Sequence, residues 1–323
     1  MRPFVYERPA DLSEAVELGA AGTYLAGGTN LVDLMRQEVE RPERVIDISR
    51  LPLDRIEDLP GGGLRIGALA RNARVAADDR VRARYPVLAR ALLSGASPQL
   101  RNRATVGGNL LQRTRCGYFY DVGAACNKRV PGAGCEAIGG LDRGHAVLGA
   151  SESCVAVHPS DMCVALAALG ATVNLAGVHG ARAVPVTDFH LLPGRTPHVE
   201  TVLGNDLVTS VDLPPGLPAH GAYVKVRDRA SFAFALVSVA VLLHVEDGGI
   251  GTVRIALGGV AARPWRAYEA EELLTGAAPD ERAFREAAVA ALAGARPLRD
   301  NAFKAELARR LIQRTLTELA GPS

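Results

Sequence analysis

The chain has 323 residues, of which 48% are hydrophobic, and its 37 basic residues nearly balance 35 acidic ones, giving a formal charge of +2. This length predicts about two domains, each large enough to bury its own core. The apolar runs are shorter than the roughly 20 residues that span a bilayer, which argues against membrane insertion, and no basic block indicates a nucleic-acid binder.

The first third of the chain alternates short helices and strands. The positions of apolar residues and glycines predict, in chain order, helix 11–18, strand 23–26, helix 31–37, strands 44–48 and 64–68, and one continuous helix over 81–93. The strand at 23–26 and the helix at 31–37 are joined by a glycine-containing loop. This alternation predicts an α/β or α+β domain.

The middle of the chain has a different composition. Residues 112–158 are rich in cysteine, glycine and proline and show no sustained period. A segment of this length without regular structure is unusual in a compact domain unless something orders it. Regular patterning then returns, with a nearly all-apolar helix over 162–169 and a strand over 171–175.

A second domain is predicted beyond residues 213–218, which contain three prolines and one glycine. Apolar and β-branched stretches follow, and two amphipathic helices come last. The predicted elements are strands 222–226, 235–245 and 251–257 and helices 280–293 and 301–319. These elements predict a small antiparallel sheet with helices, an α+β arrangement.

Two loops share a pattern of small residues, a Gly-Gly pair, a polar residue and an apolar residue. They cover residues 25–31 and 104–110. Adjacent glycines let a backbone approach a ligand closely, and consecutive N–H groups at a helix start suit a pyrophosphate. Each loop alone is more typical of a tight turn, and neither has the G-x-G-x-x-G pattern of a Rossmann fold. Together they favour a dinucleotide.

All five cysteines lie between positions 116 and 163, which indicates metal or redox chemistry rather than a disulfide framework. Four of them lie in the 112–158 segment, and no two form the close C-x-x-C pair common in zinc sites. Free thiols, an iron–sulfur cluster and zinc all stay open on spacing alone. The fifth, Cys163, lies on the apolar helix, where a small buried hydrophobe is expected.

The order of several motifs resembles that of a known family. Besides the two glycine loops, these motifs are Ile66-Gly67-Ala68, Pro159-Ser160-Asp161 before an apolar helix, residues 206–214, and Tyr223-Val224-Lys225. The same series occurs in the FAD-binding medium subunits of molybdenum hydroxylases, the xanthine dehydrogenase, carbon monoxide dehydrogenase and aldehyde oxidoreductase group. The resemblance covers essentially the whole chain.

This resemblance implies an α+β fold, in which a two-lobed FAD-binding domain of the vanillyl-alcohol-oxidase/PCMH-like type precedes a small α+β domain with an antiparallel sheet. The expected FAD-binding domain covers residues 1–215, with subdomains at about 1–53 and 54–215 and an insertion at about 112–158. The expected C-terminal domain covers residues 216–323.

The resemblance also implies a set of FAD-binding residues. Both glycine loops would hold the diphosphate through backbone N–H groups and Thr or Asn side chains, Asp161 would accept a hydrogen bond from a sugar hydroxyl, and Val208 and Lys225 would lie near the rings. Without the resemblance, Asp161 fits an ordinary helix N-cap and Lys225 a solvated strand lysine. The implied set is Leu25, Ala26, Gly27, Gly28, Thr29, Asn30, Leu31, Thr105, Gly107, Gly108, Asn109, Asp161, Val208 and Lys225.

The 112–158 segment has a counterpart in one subgroup of aldehyde oxidoreductase flavin subunits, which carry a cysteine-bearing insertion with a 4Fe-4S cluster. The resemblance therefore implies such a cluster, with the ligands Cys116, Cys126, Cys135 and Cys154. Lys128 and Arg129 would offset the negative charge of the bound cluster, and N–H groups of residues 132–135 would turn toward its sulfur atoms.

The implied function is that of an FAD and 4Fe-4S electron-transfer subunit in a heteromeric molybdenum hydroxylase of the aldehyde oxidoreductase or xanthine dehydrogenase type. Its partners would be a large molybdopterin-binding subunit and a small 2Fe-2S subunit, and no catalytic acid or base is expected in this chain. The alternatives are a self-contained flavin oxidase and a zinc-loop interaction module. The N-terminal residues lack a secretory signal, so we expect a cytoplasmic location unless a partner with a twin-arginine signal carries the complex to the periplasm.

Overall fold

The N-terminal residues form a small parallel sheet. The computed structural model describes residues 1–217 and 219–321, so Pro218 of the predicted boundary and the last two residues of the predicted C-terminal domain lie outside it. In this sheet the strand order is β1-β3-β2, and two helices make the connections. The elements are β1 (Val5–Glu7), α1 (Leu12–Gly19), β2 (Thr23–Leu25), α2 (Leu31–Arg36) and β3 (Arg44–Asp47).

A second sheet of five antiparallel strands combines segments from both sides of the cysteine-rich insertion. Its strands are β4 (Ile56–Asp58), β5 (Leu64–Gly67), β6 (Thr172–Gly177), β7 (Gly180–Pro185) and β8 (Leu207–Leu213), in the order β4-β5-β8-β6-β7. The helices between them are α3 (Asn72–Ala77), α4 (Asp79–Arg84), α5 (Pro86–Ser94), α6 (Pro98–Arg101), α7 (Val106–Leu110), α8 (Gly117–Tyr120), α9 (Asp161–Leu169) and α10 (Val186–Phe189).

The third sheet forms the C-terminal part of the chain. It is antiparallel in the order β12-β11-β10-β9, with strands β9 (His220–Val226), β10 (Val237–Glu246), β11 (Gly249–Gly258) and β12 (Trp265–Arg266). Three helices cover it, α11 (Tyr268–Leu274), α12 (Glu281–Ala290) and α13 (Phe303–Ala320). The predicted α+β class and C-terminal antiparallel sheet are confirmed. The predicted domain division at residues 215 and 216 falls in the connection between β8 and β9.

Helix α9 lies between the second and third sheets. Every one of its nine residues is buried, and the helix packs on α5, β10 and β11. Ser160 caps its first turn by accepting a hydrogen bond from the N–H of Cys163 (3.1 Å), and Gly170 ends it in the left-handed conformation. The all-apolar pattern that predicted this helix is therefore explained by burial on all sides.

The prediction of one continuous helix over 81–93 is wrong. Helix α4 ends at Arg84 and α5 begins at Pro86, with Tyr85 between them at φ −135° and ψ 53°. Proline lacks an N–H and disfavours the helical conformation at the residue before it, so the chain must turn there. The break lets the Tyr85 hydroxyl donate to the carbonyl of Pro214 (2.6 Å).

The cysteine-rich insertion is compact although it contains little regular structure. Isolated antiparallel bridges pair Cys126 with Cys135 and Ser151 with Cys154. The Arg129 guanidinium donates to the carbonyls of Tyr118 (2.9 Å) and Phe119 (2.8 Å), which ties helix α8 to the segment that follows Cys126. Within the described ranges, no helix combines the length and the apolar character needed to cross a membrane.

Phe284 anchors the C-terminal helices on the third sheet, with a side chain that is 2% exposed. We expect Phe284→Ala to lower the free energy of unfolding by about 3–5 kcal/mol, because it leaves a large cavity in the core. Val289 lies on the same helix but is 50% exposed, so Val289→Ala is the control, with an expected change of about 0.5 kcal/mol or less. Urea unfolding measures both variants, and equal effects would contradict this packing.

Candidate functional site

A cavity of about 950 Å³ lies between the two glycine loops, the start of α9 and the edge of the third sheet. This volume lies in the range that organic cofactors occupy. Part of the predicted FAD set forms its wall, namely Gly28, Thr29, Asn30, Gly108, Asn109, Asp161 and Lys225. The structure therefore brings residues from four distant parts of the sequence to one site.

The two glycines of each pair have different roles. A Cβ on Gly27 would lie 2.1 Å from the carbonyl oxygen of Arg103, and one on Gly107 would lie 3.1 Å from the Cβ of Ala68. These first glycines therefore allow close packing of protein on protein. The second glycines line the cavity, and Gly28 also has a φ of +75°, which favours glycine. Only the second glycine of each pair bears on a ligand directly.

The two loops also differ in their backbone donors. Among the described residues, no hydrogen bond uses the N–H groups of residues 28–30, so the first loop offers donors to an anion. In the second loop Gly107 donates to Ala68, and Gly108 and Asn109 donate to the side chain and carbonyl of Thr105. The prediction that both loops present free N–H groups is therefore wrong for the second loop, because Ala68 accepts from Gly107 and the capping residue Thr105 accepts from Gly108 and Asn109.

Two asparagine side chains have an unsatisfied polar atom in the cavity wall. Asn30 accepts from the N–H of Arg113 (2.9 Å), while its Nδ2 is buried without a partner in the described chain. Asn72, at the start of α3, likewise has a buried Oδ1 without a partner there. Buried polar atoms normally have hydrogen-bond partners, so these atoms fit a polar ligand in the cavity. The residues present therefore fit FAD.

Asp161 lies at the bottom of the cavity in a buried ion pair. Its carboxylate accepts from the hydroxyl of Tyr223 (2.5 Å) and from Nζ of Lys225 (2.8 Å). Burial and the nearby carboxylate raise the pKa of Tyr223, so the hydroxyl is a donor. The N-cap alternative for Asp161 is wrong because Ser160 takes that role, and Lys225 is not solvated because its side chain is 4% exposed.

Other members of the predicted FAD set lie behind the cavity wall, namely Leu25, Ala26, Gly27, Leu31, Thr105, Gly107 and Val208. Val208 is 2% exposed and belongs to the hydrophobic core, where it lies opposite Leu175 in the second sheet. Val208 therefore does not line the cavity, and its side chain lies in the core instead of at the predicted position near the rings. Thr105 acts through the loop conformation, since its hydroxyl accepts from Gly108.

Sequence reasoning missed several cavity residues. The connection from β9 to β10 places the exposed aromatic residues Phe232 and Phe234 at the cavity, and the guanidinium carbon of Arg115 lies 5.0 Å from the Phe234 ring centroid. The imidazoles of His145 and His158 also line it. None of these residues belongs to a periodic pattern. The one feature of the sequence that could have indicated them is the pair of aromatic residues in a polar connection between two predicted strands.

The four cysteines of the insertion line a second, smaller cavity together with Tyr118, Phe119 and Lys128. Burial raises the pKa of Cys116 and, to about 11, that of Cys154. Hydrogen bonds from the backbone N–H groups of Tyr118 and Phe119 lower the pKa of Cys116. The backbone N–H of Ala156 donates to Cys154 Sγ (3.4 Å). Cys116 and Cys154 are therefore protonated without a metal, and a metal that binds these two thiols must displace protons.

The predicted electrostatic partners of the cysteines are arranged differently. Lys128 lines the cysteine cavity and lowers the pKa of Cys154, but its ammonium also forms an ion pair with Glu200. Arg129 is occupied with backbone carbonyls, as described above. The N–H of Gly134 donates to Asn127 Oδ1 (2.9 Å) rather than toward sulfur. The backbone N–H groups that contact sulfur are those of Tyr118, Phe119 and Ala156.

The large cavity and the cysteine cavity share part of their walls. Thr114 and Cys116 line both cavities. Cys163 lies apart from this set, fully buried in the core, where burial raises its pKa to about 12. It is within 4.8 Å of ligand atoms of His158 and His190, and ring nitrogens of both histidines contact the carbonyl of Leu110 (3.3 and 2.9 Å).

The fold and the cavity together define a flavin-binding subunit. Two family models match the chain: "FAD binding domain in molybdopterin dehydrogenase" over residues 2–216 and "CO dehydrogenase flavoprotein C-terminal domain" over residues 222–319. The chain belongs to the FAD-binding medium subunits of the molybdenum hydroxylase family. It is therefore an FAD-binding oxidoreductase subunit of a molybdenum hydroxylase complex of the aldehyde oxidoreductase or carbon monoxide dehydrogenase type, as the motifs predicted.

Individual relatives agree with this assignment. The aldehyde oxidoreductase FAD-binding subunit PaoB of Escherichia coli (strain K12) is 49% identical over 324 residues, which cover 98% of each chain. Quinoline 2-oxidoreductase from Pseudomonas putida 86 matches with a TM-score of 0.75 at 26% identity, over 99% of this chain and 97% of that one. Carbon monoxide dehydrogenase from Hydrogenophaga pseudoflava lacking the Mo-pyranopterin moiety gives a TM-score of 0.76 at 28% identity, over 97% and 96%.

The position of Gly108 at the cavity can be tested by substitution. We expect Gly108→Val to lose FAD, because its Cβ would lie 3.0 Å from Thr105 Oγ1 and its methyl groups would enter the cavity. Gly216→Val is the control, since the nearest atom to a Cβ there is 3.5 Å away and Gly216 lies outside this cavity wall. Absorbance of flavin bound to purified protein measures both, and full FAD in Gly108→Val would refute the loop assignment.

Proposed function

We propose that this chain is an FAD and 4Fe-4S electron-transfer subunit, which receives electrons from an iron–sulfur relay and delivers them to an acceptor at FAD. The observation that carries the proposal is the common wall of the two cavities, formed by Thr114 and Cys116. A ligand of a cluster in the small cavity would also touch the flavin cavity. Such proximity is what electron exchange between two buried groups requires.

The donor set of the small cavity supports a cluster over a single zinc ion. Four thiols surround one space, and in the described chain no three of their sulfur atoms lie within 4.8 Å of one another. Tetrahedral zinc with Zn–S bonds of about 2.3 Å needs sulfur atoms about 3.8 Å apart. A 4Fe-4S cluster has one cysteine at each of four separated iron atoms, so its cysteine sulfur atoms lie farther apart than those around one zinc ion.

FAD, when bound, supplies a group that accepts electrons singly or in pairs, and the protein contributes binding and orientation. The first glycine loop supplies free N–H groups for the diphosphate, and Asn30 and Asn72 supply the two unsatisfied side-chain atoms. Asp161 retains lone pairs for a sugar hydroxyl beside its bonds to Tyr223 and Lys225. None of these groups needs to act as an acid or base.

The proposed complex is of the aldehyde oxidoreductase type, and it contains a large molybdopterin-binding subunit and a small 2Fe-2S subunit. The 49% identity to the FAD-binding subunit of an aldehyde oxidoreductase over 98% of both chains supports this choice. Substrate oxidation then takes place on the large subunit, and this chain handles electrons only.

The four cysteines should behave as one unit. We expect the Cys→Ser change at any of positions 116, 126, 135 and 154 to lose or strongly destabilise the cluster, because each iron needs a ligand. FAD should be less affected, because its glycine loops lie outside the insertion. Iron and acid-labile sulfide are measured per chain, and a full cluster in any one variant would remove that residue from the ligand set.

Cys163→Ser is the matched control for these variants. It should retain about four iron and four sulfide per chain and cost on the order of 1–3 kcal/mol of stability, because a hydroxyl is placed in an apolar core. Zinc instead of iron in colourless protein would favour the zinc-loop module. Loss of iron in Cys163→Ser with retained folding would show that the ligand set is wrong.

The subunit assignment predicts a composition and an activity. Tagged chain purified from its native host should bring one larger and one smaller protein with it. The isolated chain should accept electrons from an artificial reductant but should not oxidise aldehydes, because the proposed site of substrate oxidation is on the large molybdopterin-binding subunit. Protein that repeatedly purifies alone and oxidises aldehydes would establish the self-contained flavin oxidase instead.

A further inference from the structure

His145 connects the two cavities of the proposed electron path. Its Nε2 lies 3.1 Å from Sγ of Cys116, and the residue also lines the flavin cavity. The residue is 8% exposed, so this contact is sheltered from water. No pattern in the sequence marked His145, and the FAD set and the cysteine ligands do not include it.

The chemistry of a bound cluster fixes the direction of this hydrogen bond. A cysteine that binds iron does so as a thiolate, which is an acceptor only. Nε2 must therefore carry a hydrogen and donate it to sulfur. The buried Nδ1 has no partner in the described chain, which agrees with a ring placed for its Nε2 contact.

The C-terminal helix holds the backbone of His145 in place. Lys304, on α13, is fully buried, and its Nζ donates to the carbonyls of Gly144 (3.1 Å), His145 (2.7 Å) and Gly259 (2.5 Å). Burial lowers the pKa of Lys304 to about 7, and three carbonyl contacts oppose this shift because they stabilise the ammonium form. Asn301 adds amide contacts to the carbonyls of His145 (3.3 Å) and Ala146 (3.1 Å).

We propose that His145, held by Lys304, donates a hydrogen bond to Cys116 that raises the reduction potential of the cluster. This inference rests on the cluster proposed above. A donor to a ligand sulfur stabilises the more negative, reduced cluster, because the hydrogen bond strengthens as charge on sulfur grows. His145 is thus a positioning residue for potential, with no role as a ligand.

The test is a redox titration of the cluster, followed by electron paramagnetic resonance, in the complete complex. We expect His145→Phe to retain iron and sulfide but to shift the midpoint potential negative, with a change of about tenfold in the reduction equilibrium, or 59 mV for one electron. His145→Gln keeps an N–H donor and should recover part of the shift. Exposed His179 lies in the β6–β7 turn, and His179→Phe should change nothing.

Lys304→Met keeps the His145 ring and tests the support separately. We expect a smaller negative shift, because the ring loses its fixed position but not its donor. An unchanged potential in His145→Phe with a full cluster would overturn this inference alone. If His145→Phe loses its cluster, an unchanged potential in Lys304→Met with a full cluster would overturn it. Wild-type complex without iron in this chain would overturn the cluster proposal and this inference with it.

Discussion

The buried ion pair between Asp161 and Lys225 is the interaction on which the site depends. Asp161 is the one charged residue of α9, and a buried carboxylate is costly unless it is paired and hydrogen-bonded. Its partners Tyr223 and Lys225 come from β9, the edge strand of the third sheet. Lys225 also donates to the carbonyl of Ser94 at the end of α5 (3.1 Å). One carboxylate therefore joins α5, α9 and the third sheet at the cavity wall.

The sequence was informative where local pattern and final environment agree. Helix α9 and the long strands β10 and β11 are apolar because they are buried, so their patterns predicted them well. The three-residue strands β1 and β4 are too short to show a period, and β7 is mostly exposed. The error at Pro86 arose because an apolar period continued across a residue that stops a helix.

In the site, too, some features could be predicted from local sequence pattern and others depend on the folded structure. Glycine pairs are visible in sequence, so the loops could be predicted, but the different roles of Gly27 and Gly28 depend on what each one contacts. Asn72 became part of the site only because α3 lies beside the second loop, where its N–H donates to the carbonyl of Ala104 (2.9 Å). The spacing of the cysteines left three chemistries open, and the separation of their sulfur atoms is a property of the folded insertion.

The contact of Lys304 and Asn301 with residues 144–146 also bears on how the protein is made. Chains leave the ribosome from the N-terminus, and their N-terminal parts begin to fold first. The cysteines emerge long before α13, so the segment that carries His145 lacks its anchoring ammonium during most of synthesis. The backbone of residues 144–146 can therefore reach its final anchored conformation only when nearly the whole chain has been made.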